Sequence, residues 1–152
     1  MAAPEEIVKA VAELAEKSGH KFAVTAVPVD GTQLYVVYAA DHPFPDRYTV
    51  VSGMLGFRVS SNLPDACPED SFFLSPDTVK LKQPDPVRNS TDIHRASSTQ
   101  GFLKGTELGD ARVLVFSWHV WNRPGAWNRK KHTLMDHYTH CLRRFEEPEH
   151  DR

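Results

Sequence analysis

Four of the chain's eight histidines, His119, His132, His137 and His140, fall in one C-terminal stretch that also carries Cys141. On a helix, His137 and His140 are three apart and His137 and Cys141 four apart, so each pair shares a face. Imidazole nitrogen and thiolate sulfur are ligands that zinc prefers. His119, His137, His140 and Cys141 are therefore candidate metal ligands, with Zn as the implied ion and a small metal-dependent hydrolase as the implied activity. The spacing matches neither HExxH nor paired CxxC. Cys141 also falls on the apolar stripe of its segment, where a buried structural thiol is the plainer reading.

A second chemistry is nucleophilic. Ser117 and His119 are two apart, so on an extended strand both point to one side. A Ser–His pair offers an activated hydroxyl, which makes both residues candidate catalytic groups. No oxyanion donor or third member can be assigned beside them, and a small strand residue is the alternative for Ser117. The thiols look less apt. Cys67 lies among Asp65, Glu69 and Asp70, and negative charge disfavours the thiolate that would attack.

Ser117 and His119 sit in "FSWHVWNRPGAW", which holds every tryptophan of the chain. Tryptophans anchor cores and interfaces. Trp127, just before a helical pattern, is expected to pack under that helix. Trp118 and Trp121 are oddly spaced and cannot both face inward on a plain strand, so they are the candidate partner contacts.

The elements that must position these groups are legible from pattern. Pro4 to Lys17 reads as a helix, with Ile7, Val8, Val11, Leu14 and Ala15 on one face and a stop at Ser18-Gly19. Lys21–Val27 and Gln33–Ala39 are strand-like and joined by an Asp30-Gly31 hairpin signal. Tyr48–Val51 and Met54–Ser60 are expected strands, broken or bulged at Ser52-Gly53. Pro64 and Pro68 exclude a regular element between them. Ser71–Leu74 is a short strand. Gln83 to Gly109 reads as one long loop, Arg112–Val120 as a strand, and His132–Phe145 as a closing helix. The class is α+β, one domain over residues 1–147, with a disordered tail at 148–152.

Composition narrows the function. The formal net charge of −2 comes with no long basic run, which argues against a nucleic-acid binder. No apolar run approaches the roughly 20 residues of a membrane span, and the N-terminus lacks the apolar centre of a signal peptide. The expected location is cytoplasmic, with Cys67 and Cys141 as free thiols.

"GMLGFRVSSNLPDACPEDSFF" resembles the strand-and-proline segment of ubiquitin-conjugating enzymes. Leu63-Pro64 stands for that family's Tyr-Pro, Pro68 for the second of its paired prolines, and Phe72 for the Phe that opens its next strand. The family also places its catalytic cysteine eight residues before a tryptophan that precedes a helix. Counting back from Trp127 reaches His119. "HVWNRPGAW" is similar to the bacterial conjugating-enzyme-like family E.

The resemblance implies a ubiquitin-conjugating (UBC-like) fold: N-terminal helix, antiparallel meander, long loop, C-terminal helix. It also implies partners, namely a ubiquitin-like protein, a ThiF-like activating enzyme and a JAB-type isopeptidase. With His119 where the cysteine belongs, the implied role is an unconventional conjugation component. It would be either a repurposed site built on His119 and Ser117 or a pseudoenzyme that only binds. A catalytically inactive interaction module with no link to ubiquitin-like proteins is the remaining alternative.

Overall fold

A computed structural model describes residues 3–29, 32–117, 121 and 125–146. Helix α1 spans Glu5–Ser18. Strands β1 (Ala23–Val29), β2 (Thr32–Pro43), β3 (Ser52–Ser60) and β4 (Ser71–Ser75) follow, then β5 (Ala96–Thr99), β6 (Val113–Ser117) and helix α2 (Leu134–Glu146). The architecture is α+β, as the pattern predicts.

The six strands form one antiparallel sheet in the order β1-β2-β3-β4-β6-β5. The first four make the expected meander. The chain then skips a place, so that β6 lies against β4 and β5 takes the outer edge.

The period-two alternation of the strands gives the sheet two buried faces. One is covered by the helices. Ile7, Val11 and Leu14 of α1 and Leu134, Tyr138, Cys141 and Phe145 of α2 pack onto Val37, Phe57, Phe72 and Phe116. Fully burying each such side chain contributes roughly 1.5–3 kcal/mol. On the other face Phe102 and Leu103 cover Val36, Phe73 and Val113. The Phe73 ring lies so close over Gly56 that a Cβ there would be 2.7 Å from the ring and 2.7 Å from the Val37 carbonyl oxygen.

α1 ends at Gly19, whose φ of 76° is readily adopted only by glycine and lets its N–H reach the Ala15 carbonyl at 3.1 Å. α2 starts where the Asp136 carboxylate accepts the Thr133 N–H at 2.7 Å, half of a capping box.

Three expectations need correction. Residues 83–109 are not one irregular loop. They contain β5 and the Phe102–Leu103 cover, because an edge strand of Ala-Ser-Ser-Thr gives no hydrophobic signal. Tyr48–Val51 is not a strand. Tyr48 makes a single bridge to Leu81, and its hydroxyl donates to the Phe145 carbonyl. The irregularity expected at Ser52-Gly53 lies instead on the neighbouring strand. Ala39 pairs with Leu55 but His42 with Gly53, so β2 carries one extra residue there. That bulge reverses the side to which the following residues point, and it turns His42 toward the helix layer.

No helix among the described residues is long and apolar enough to cross a membrane.

Candidate functional site

α2 carries the residues that the sequence singled out. Its apolar stripe packs on the sheet, and that packing takes His137 and Cys141 inside with it, at 1% and 0% exposure. Trp121 is also buried, and its indole N–H donates to His137 Nδ1 at 2.9 Å. A nitrogen that accepts carries no proton, so the neutral ring holds its proton on Nε2. Nε2 lies 3.6 Å from Cys141 Sγ, where its N–H points at the sulfur.

Burial, and secondarily the charge of His140, push the His137 pKa down to about 3. Burial also pushes the Cys141 thiol far up. The result is a neutral imidazole between an indole and a protonated thiol, with both ring nitrogens engaged.

In this arrangement both ring nitrogens of His137 are taken up by protein contacts. Among the described residues no group of three or more His, Cys, Asp or Glu is arranged to hold a metal ion. His140 is half-buried beside Trp121, with ring centroids 5.3 Å apart. Its pKa is lowered, chiefly by burial and then by Arg143.

Trp121 therefore corrects one expectation. It is a core residue and not a surface contact. His132 and Trp127 pack on it as well, each with its ring centroid 4.9 Å away.

Trp127 connects this cluster to the proline segment. Its indole N–H donates to the Pro64 carbonyl at 2.8 Å, and Arg129 pairs with Asp65 next to it. Between α1, Leu63-Pro64 and the start of α2 lies a groove of about 180 Å³. Lys9 and Glu13 line one side, and Trp127 and Met135 the other. Cys67, on the same proline segment, is partly exposed. Its thiol pKa is raised, first by burial and then by the Asp70 charge. Of the carboxylates suspected from sequence, Asp70 thus contributes, but less than desolvation.

No protein-family model, curated protein or solved structure matches this chain.

The remaining candidates stand as follows. The Ser117 backbone closes β6 opposite Ser71. Its side chain lies outside the described residues, as do His119 and Trp118 altogether. Sequence reasoning missed a second polar cluster, His20, His42 and Tyr138. His42 Nε2 lies 2.5 Å from the Tyr138 hydroxyl, and the His20 ring packs on His42 at 4.5 Å. No local spacing links positions 20, 42 and 138. The one usable signal was Tyr138 itself, a hydroxyl on a buried stripe that needs a partner.

Proposed function

We propose that this chain is an unconventional conjugating-enzyme-like component of a bacterial ubiquitin-like modification pathway, and that it acts by binding and not through a thioester. It takes a ubiquitin-like protein, or the ThiF-like enzyme that activates it. The observation that carries this reading is the hydrogen bond from Trp127 to the Pro64 carbonyl. The tryptophan and the proline turn are the two landmarks on which the resemblance to conjugating enzymes rests, and they are joined directly. Neither thiol favours thioester chemistry, since Cys141 is buried and the pKa of Cys67 is raised. A docking role therefore fits better than acyl transfer.

The test is incubation with ATP, a ThiF-like activating enzyme and its ubiquitin-like protein. Reducing and non-reducing gels are run alongside a binding titration. Saturable binding without an adduct is the expected result. An adduct sensitive to reductant and lost in Cys67→Ser would overturn the thioester-free reading. A hydroxylamine-sensitive, reductant-resistant adduct lost in Ser117→Ala would instead make Ser117 an acyl acceptor. Absence of any binding would remove the pathway altogether.

A further inference from the structure

The His20–His42–Tyr138 cluster lies where three parts of the chain meet: the link after α1, the bulged end of β2, and the middle of α2. His42 is 3% exposed and Tyr138 2% exposed. His42 Nδ1 lies 2.8 Å from the Pro43 carbonyl oxygen. A carbonyl only accepts, so Nδ1 carries the proton. In the neutral ring Nε2 then has a free lone pair, and at 2.5 Å it accepts the Tyr138 hydroxyl proton. The hydroxyl proton has this acceptor in one protonation state of the ring only.

A second proton on His42 must go to Nε2. The ring then donates to the Tyr138 oxygen instead of accepting from it, so the buried hydroxyl proton loses its acceptor, and a cation stands against the His20 ring, 4.5 Å away. Little compensates that cation. From α2, Tyr138 faces it, and from the link after α1, His20. On β2 the neighbouring Asp41 is exposed, and Glu146, at the end of α2, is the one carboxylate lining the adjacent cleft. Burial, and secondarily His20, lower the His42 pKa, against the opposing pull of the Pro43 carbonyl.

We propose that His20, His42 and Tyr138 form an acid-sensitive latch that holds α2 on the end of β2 while His42 is neutral and releases it on protonation. Release widens a cleft of about 500 Å³ and uncovers its apolar walls, Phe44, Leu142 and Phe145. This inference is independent of the binding role proposed above.

Hydrogen exchange of the α2 amides, corrected for intrinsic rates, reads the latch directly. His137 lies on the same helix and also resists protonation, so the comparison must separate the two. His42→Gln does so. Its amide can donate to Pro43 and accept from Tyr138, but it does not titrate in this range. Between about pH 7.5 and about pH 5.5, protection of α2 in the native sequence should fall about tenfold or more beyond the decline that His137 alone produces. In His42→Gln only that shallower His137 decline should remain.

Equal loss in the native chain and His42→Gln would overturn the latch and assign the effect to His137. Should His42→Gln fail to fold, ring nitrogen NMR of the native chain decides. An Nδ1–H tautomer whose titration moves the α2 signals is expected. Titration of His42 at an ordinary histidine pKa with α2 unmoved would equally overturn it.

Discussion

The Trp121 indole donates to His137 Nδ1 at 2.9 Å, and this bond fixes which nitrogen of a fully buried imidazole carries the proton. The ring is thereby held neutral between the indole and Cys141. Trp121→Phe removes the donor and leaves a buried acceptor unmatched. The expected cost is about 1–3 kcal/mol, read from urea unfolding at neutral pH. An unchanged unfolding midpoint would count against the bond.

Acid should weaken the fold through the same ring. His137 titrates near 3 in the folded chain and close to 6.5 when unfolded. Between those values the unfolded state binds the extra proton. The neutral ring's contribution is therefore complete above about pH 6.5 and is lost progressively as pH falls toward 3, in total on the order of several kcal/mol. Urea unfolding at a series of pH values should show this slope. His137→Gln should flatten it.

Thiol accessibility distinguishes the two cysteines. Cys141 is fully buried and Cys67 partly exposed, with both thiol pKa values raised. In a native reaction with an aromatic disulfide reagent, Cys67 should react slowly and Cys141 only after denaturation. Fast labelling of Cys141 in the folded chain would contradict the packing of α2.

Gly56→Ala tests how closely the Phe73 ring seats on the sheet. The added methyl would meet the ring and the Val37 carbonyl at 2.7 Å, and the carbonyl is backbone that cannot swing aside. A loss of about 1–3 kcal/mol is expected by thermal or urea unfolding.

Trp127→Phe keeps a ring beside Trp121 but removes the donor to Pro64. The expected loss is about 0.5–1.5 kcal/mol, with faster hydrogen exchange confined to the proline segment. Under the proposed function, it should also weaken partner binding more than the stability loss explains.

Much of the fold was legible because burial writes a period into the chain. α1, β1, β2, β4 and α2 announce themselves through apolar residues spaced for a helix or a strand. β5 was not, because Ser97 and Ser98 point into solvent at a sheet edge and leave no pattern. The site was half legible. Helical spacing correctly put His137 and Cys141 together. Spacing has no information, however, on what arrives from elsewhere, and here it is the indole of Trp121 that meets His137. The His20–His42–Tyr138 cluster depends on a bulge, and a bulge is set by competition between registers, not by local preference.

That competition has its own consequence. Paired regularly, without the extra residue in β2, the same strand would set Asp41 opposite Gly53 and aim a carboxylate into the apolar layer beneath α2. Burying an unpaired carboxylate costs several kcal/mol, so the regular alignment is disfavoured before His42 makes any contact. Asp41, exposed and without chemistry of its own, thus acts as a gatekeeper of strand alignment. Replacing it with Leu would lift the penalty on the slipped pairing and leave the strand end divided between two alignments.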